Sequence, residues 1–206
     1  PVFGNRNASE IKRNDLQKKI DLLIGGELSN QLALTNFTAS KYNIPYLGVY
    51  SACASFNEAL IIMSNFLESR KIKTGLCLTS SHTEVAERQF RYPIEYGAPR
   101  FKRSTMTATG SVGVILAHEG KIKVTASTVG CSTNYGITDV NNMGAVMAPA
   151  AAETLLKHLK DLKIPANFYD LILTGDLGRT GAKLFLEILK QNNLNLTNYQ
   201  DAGSML

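Results

Sequence analysis

Two stretches of the chain are near copies of each other. Asp21-Leu-Leu-Ile-Gly-Gly-Glu-Leu28 and Asp170-Leu-Ile-Leu-Thr-Gly-Asp-Leu177 correspond at a constant offset of 149 residues, with four positions identical and three similar. Each reads as a buried strand running into a turn, so a chain that holds this unit twice is expected to be a duplicated α/β fold. The alternative is that two strand ends in one fold look alike by chance. Carried forward, the same offset sets Tyr50 over Tyr199 and Cys53 over Ala202. The second copy is therefore expected to be incomplete, and the chain to be a fragment: residues 1–140 hold most of the first half, without its N-terminal strand and helix, and 141–206 begin the second.

Composition narrows the classes. With 206 residues, 44% hydrophobic and 19% charged, the chain suits one large α/β domain and not a disordered segment. Three cysteines, Cys53, Cys77 and Cys131, fit neither a zinc spacing nor a disulfide framework, which favours a reducing compartment. The longest uncharged run, Tyr42 to Asn57, contains Pro45 and falls short of the roughly 18 apolar residues of a membrane helix. Net charge is +5, and Arg88, Arg91, Arg100, Lys102 and Arg103 face only Glu95 in one short stretch. Such a field suits a small anion, an acidic lipid surface or an acidic partner better than nucleic acid, for which regular aromatic interleaving is missing.

Strands are expected at 20–24, closed by a Gly25-Gly26 turn, at 46–50, at 75–79 and at 169–173. Residues 105–117 and 121–130 read as a tight hairpin. Helices are expected at 30–42, from Ser55 to Glu68, at 83–90, from Pro149 to Leu162 and at 178–190, with 141–147 as loop. The helix after Ser55 is apolar around most of its circumference and is expected to be buried between layers. Alternating strand and helix argues for parallel strands.

Cys53 stands between a buried strand and a helix start, where backbone N–H groups and the helix dipole favour a thiolate or an anionic ligand. The competing reading is a small buried hydrophobe, and for Cys77 and Cys131 that reading dominates. Ser55 and Glu58, and likewise Ser81 and Glu84, have capping-box spacing. His118 and His158 carry no case.

The segment Tyr50-Ser-Ala-Cys-Ala-Ser-Phe-Asn-Glu-Ala59 resembles the nucleophile turn of the thiolase and ketoacyl-synthase superfamily. That resemblance implies duplicated βαβαβαββ halves in α-β-α-β-α layers, with a central helix behind the cysteine. More specifically, 79–97, 142–151 and 170–178 are similar to the stage V sporulation AD family. This likeness implies a non-enzymatic, dimeric protein that binds dipicolinic acid or its calcium chelate and acts with other stage V sporulation A proteins. It implies peripheral association with the cytoplasmic face of the forespore or spore inner membrane, and no nucleic acid, cofactor or resident metal.

Ketoacyl synthases place a histidine after the strand that reads 169–173 here, whereas this chain continues Thr174-Gly175-Asp176. The imidazole needed for condensation is missing at that place. For a dicarboxylate ligand, Cys53, Ser81, His82, Arg88, Arg91 and Asp176 are the candidate contacts, and no catalytic residue is assigned. Each has a bland alternative: Glu84–Arg88 and Glu87–Arg91 are also i,i+4 surface pairs, Ser81 and Asp176 also suit helix caps, and a histidine at a helix start is commonly structural. Two other functions stay open, an acyl-transferring or condensing enzyme with Cys53 as nucleophile and an assembly scaffold with a vestigial pocket.

Overall fold

The structure, a computed structural model, describes residues 2–4, 19–29, 33–90, 107–139 and 142–205, leaving aside the side chains of 2–4 and 87–90. The chain divides into two compact units, Pro1–Gln89 with Thr107–Ala126, and Phe90–Met106 with Ser127–Leu206.

The first unit contains a six-stranded sheet of β1 (Val2–Gly4), β2 (Leu22–Glu27), β3 (Tyr46–Gly48), β4 (Thr74–Ser81), β5 (Gly110–Ala117) and β6 (Ile122–Lys123), in the order β3-β2-β4-β5-β1-β6. β3, β2 and β4 are parallel, and β5 runs antiparallel to β4. Among the described residues this unit also holds α1 (Ala33–Ser40), α2 (Ser55–Glu68) and α3 (Thr83–Phe90). β2 forms because Leu23 and Ile24 can be buried together, as expected for a strand flanked on both edges.

It also runs straight through Gly25 and Gly26, which were expected to turn. The glycines serve clearance: a Cβ on Gly25 would lie 2.9 Å from Thr35 and from Leu78, and one on Gly26 would lie 2.5 Å from the Val49 carbonyl oxygen. α2 lays Ser55, Ala59, Met63 and Leu67 on the sheet at four-residue spacing. Met63 fills the space over Gly75, and with Ile24, Val49, Cys77 and Leu116 these residues make the core. Leu60, Ile61 and Ile62 are half-buried, so only one stripe of the helix is fully enclosed within this unit.

The expected hairpin does not form. Val2 pairs with Ala117 on one side and with Lys123 on the other, so β1 lies between β5 and β6. This places β1 in the interior of the sheet. The connection through residues 118–121 passes over it, a span of roughly 10 Å that four residues cover easily.

The second unit pairs β7 (Ile172–Thr174) with β8 (Tyr199–Asp201) and packs α4 (Met143–Leu162) on α5 (Gly178–Gln191). α4 begins six residues before Pro149, where a loop was expected. Asn142 caps it, its side chain accepting from the Ala145 N–H at 3.4 Å, and the small residues of the first turns suit the contact with α5. A Cβ on Gly144 would lie 2.5 Å from the Leu177 carbonyl oxygen and 3.1 Å from the Gly181 Cα. Pro149 removes one donor without ending the helix. The strand expected at 169–173 begins later because the Asn198 side chain holds the carbonyls of Ala166 and Tyr169, at 3.2 and 2.5 Å.

The duplication is visible in the backbone. Leu23 stands opposite Tyr46 and Gly25 opposite Gly48, while Ile172 stands opposite Tyr199 and Thr174 opposite Asp201, all in parallel ladders. Leu23 N–H donates to Pro45 at 2.9 Å, and Ile172 N–H to Asn198 at 2.8 Å. The Tyr46 hydroxyl reaches Gly25 at 3.5 Å, and the Tyr199 hydroxyl reaches Thr174 at 2.9 Å. The first strands differ by 172 − 23 = 149 residues and the second by 199 − 46 = 153, so the second copy holds four extra residues between them. Tyr199 thus matches Tyr46 rather than Tyr50, and position 206 rather than Ala202 falls over Cys53.

Candidate functional site

β3 leads the chain along β2 until the Val49 N–H donates to Gly25 at 3.0 Å, and a tight 3₁₀ turn, Ala52–Ala54, then feeds α2. Ala52 adopts φ +48°, a left-handed conformation that costs a non-glycine residue about 1–2 kcal/mol. Two bonds over-determine it. The Ser51 N–H donates to Ser55 Oγ at 2.9 Å, and the Ser51 hydroxyl donates to Glu58 Oε2 at 2.7 Å. The capping box expected from Ser55 and Glu58 is thereby replaced, since both side chains hold Ser51.

Cys53 sits in this turn and is exposed. That answers the reading of a small buried hydrophobe, which instead describes Cys77. The Cys77 thiol donates to the Ala59 carbonyl at 3.4 Å, and burial pushes its pKa up to about 12.

The end of β4 supplies the next candidates. Ser81 is its last residue, and its buried Oγ has no hydrogen-bond partner among the described residues. The cap of α3 is not Ser81: the His82 carbonyl accepts from Val85 and Ala86, at 3.1 and 2.9 Å, and the Thr83 N–H donates to Thr109 Oγ1 at 3.0 Å. His82 is exposed. Arg88 lies on α3, but its side chain, like the whole of Arg91 and most of the basic stretch, falls outside the described residues.

Because β3, β2 and β4 are adjacent and parallel, their carboxyl ends share one edge of the sheet. Cys53, Glu27 and the pair Ser81–His82 follow or end those strands. In open α/β sheets this edge is where ligands bind. Glu27 was not anticipated. It is 3% exposed, and its Oε1 accepts from the Thr35 N–H at 2.7 Å and from the Thr35 hydroxyl at 3.0 Å. Only the strand-end position of an acid hinted at it.

In the second unit Asp176 follows β7, is exposed, and accepts from the Gly178 N–H at 3.0 Å, as a local cap would. Asp201, also unanticipated, is buried and accepts from the Leu177 N–H at 2.8 Å and from Thr174 Oγ1 at 3.1 Å. No sequence spacing announces that bond. His158 is structural, with Nδ1 2.7 Å from Thr128 Oγ1 and Nε2 2.6 Å from the Tyr169 hydroxyl. Among the described residues no three His, Cys, Asp or Glu side chains converge on a metal position, and no helix is long and apolar enough to cross a membrane.

A family model described as Stage V sporulation protein AD (SpoVAD) matches residues 5–206. The stage V sporulation protein AD of Bacillus subtilis (strain 168) is 42% identical over 199 residues, a match that covers 95% of this chain and 59% of that protein. The chain thus spans less than two thirds of that relative's length. Among solved structures, Xanthomonas campestris OleA with bound lauric acid and lauroyl-CoA superposes with a TM-score of 0.61 at 14% identity, covering 89% of this chain and 61% of its own. The 3-oxoacyl-[acyl-carrier-protein] synthase III of Aquifex aeolicus VF5 gives 0.56 at 13% identity, with 91% and 63% covered. At such identity these structures show the fold alone, a thiolase-like one.

Proposed function

The chain belongs to the stage V sporulation protein AD family, and from that premise we propose that it binds dipicolinic acid or its calcium chelate, without chemical turnover, during loading of the developing spore. The observation that carries this reading is the exposed turn at Cys53, placed at the shared carboxyl edge of three parallel strands and at the amino end of α2. A helix amino end attracts carboxylates, and each charge-assisted hydrogen bond in a sheltered site contributes roughly 1.5–3 kcal/mol. Ser81 ends the strand two places away and His82 follows it, Arg88 and Arg91 come on or just past the helix that follows, and Asp176 is the second copy's counterpart of Glu27. β7 ends at Thr174 and the chain continues Gly175-Asp176, so the general base of a condensing enzyme has no imidazole there.

In this reading the protein works as a homodimer with other stage V sporulation A proteins, peripheral to the cytoplasmic face of the forespore or spore inner membrane. Calorimetric titration of the full-length protein with dipicolinate and with calcium dipicolinate gives saturable binding that Cys53→Ala or Arg91→Ala weakens. Absence of binding refutes the function, and unchanged affinity in both variants refutes the site. The fold shared with lauroyl-CoA-bound OleA favours a second reading, acyl transfer through Cys53. Incubation with acyl-CoA and intact-mass measurement separates the two, because only the enzyme leaves a thioester adduct.

A further inference from the structure

The two copies cap the helix after the duplicated strand with different carboxylates. In the first, Glu27 ends β2 and is spent on α1, holding both the N–H and the hydroxyl of Thr35. Gly48, the last residue of the neighbouring strand, has no side chain to offer. In the second copy the place of Gly48 on the ladder belongs to Asp201. Its Oδ1 takes the Leu177 N–H at the start of α5 and the hydroxyl proton of Thr174. Since Thr174 donates there, the Tyr199 hydroxyl donates to Thr174 Oγ1 at 2.9 Å, and the donors in this chain of bonds are all used. Asp201 is 5% exposed, whereas Asp176, the counterpart of Glu27, is exposed and among the described residues accepts only from Gly178. Asp176 also lies against the Cα of Gly203, where any side chain would meet its carboxylate.

We infer that Asp201 holds the Leu177 end of the cap in the second copy and is the positioning residue of the 174–178 turn, so that Asp176, bound only to Gly178 N–H among the described residues, keeps carboxylate capacity to present to a cationic or N–H-bearing group of a bound partner. Two acids stand where the first copy manages with one: Asp201 takes the Leu177 N–H and the Thr174 hydroxyl from the neighbouring strand, and Asp176 takes only the Gly178 N–H two residues on. The presentation of Asp176 rests on the ligand-binding reading above; the role of Asp201 in the cap does not.

Amide hydrogen exchange on the full-length protein tests the cap. Asp201→Ala speeds exchange of the Leu177 amide at least about tenfold, Asp201→Asn keeps the Oδ1 acceptor and stays near wild type, and Asp176→Ala leaves the amide unchanged. Should Asp201→Ala not fold, Thr174→Val removes one of the two bonds and raises the rate a few-fold. An unchanged Leu177 amide in both Asp201→Ala and Thr174→Val, or equal acceleration in Asp176→Ala, overturns the assignment. Titration with calcium dipicolinate reads the other half: weakened binding by Asp176→Ala with normal exchange supports presentation, and unaltered affinity overturns it while the exchange data decide the cap separately.

Discussion

Replacing Gly26 by alanine tests whether the Cys53 turn is held from below by the central strand. The added Cβ would lie 2.5 Å from the Val49 carbonyl oxygen and 3.1 Å from the Ser55 Cβ, where ordinary contact begins near 3.4 Å. The backbone must therefore part by roughly 0.9 Å on the Val49 side, and neither obstacle is the movable end of a long side chain. Overpacking of this kind costs about 1–3 kcal/mol, and the stiffer unfolded chain returns about 0.4–1 of it. A net loss of about 1–2 kcal/mol corresponds to a melting temperature lower by about 2–8 °C for a chain of this size.

The displaced turn carries Cys53 with it. In a Cys131→Ser background the rate of iodoacetamide alkylation at Cys53 changes by about twofold or more, since the thiol's approach depends on the geometry that Ser51, Ser55 and Glu58 hold. Gly110→Ala is the control, because no atom lies within 4 Å of its Cβ position; it stays within about 0.5 kcal/mol of wild type. If Gly26→Ala matches Gly110→Ala in both melting temperature and alkylation rate, β2 does not support the turn and the reasoning fails.

Native alkylation at neutral pH adds two labels, at the exposed Cys53 and Cys131, and a third appears only on unfolding, because Cys77 is buried; three labels on the native chain contradict the packing. The Cys77 thiol ionises near 9 when unfolded and near 12 when folded, so its contribution to stability is complete below pH 9 and is lost between pH 9 and 12, by at most about 4 kcal/mol. Denaturant melts of Cys77→Ala show a shallower alkaline decline than wild type, and parallel curves exclude the assignment. Glu27→Ala leaves the Thr35 N–H unpaired and costs about 1–3 kcal/mol, whereas Glu27→Gln keeps the acceptor and costs less than about 1, as chemical denaturation reads. Gly181→Ala pushes a Cβ to 2.8 Å from the Gly144 Cα and loosens α4 from α5; a melting temperature equal to wild type speaks against that close crossing.

Local chemistry was readable where the chain's own neighbours decide it. The span of α3 follows from its composition, α2 begins and ends where Ser55 and Glu68 suggest, and α5 extends one residue past expectation. The duplication was legible because near-identical residues line the ladder. What failed depended on partners distant in sequence. Gly25-Gly26 reads as a turn until Val49 and Thr35 are seen to need the space, and Pro149 reads as a helix start until Asn142 is seen to cap earlier. The four residues that shift the repeat from Tyr50 to Tyr46 fall between strands, where no pattern marks them. In the site, Cys53 announced itself by standing between strand and helix. Asp201 and Glu27 did not, because an acid that caps from another segment leaves no spacing behind.

The place of β1 has a kinetic consequence. Val2 meets Ala117 and Lys123, so β1 finds its partners only in segments more than a hundred positions further along the chain. Closing so long a loop is entropically slow, and a sheet that takes an interior strand from so far away in sequence is finished late. Until then the flanks of β5 and β6 stand open to mispairing.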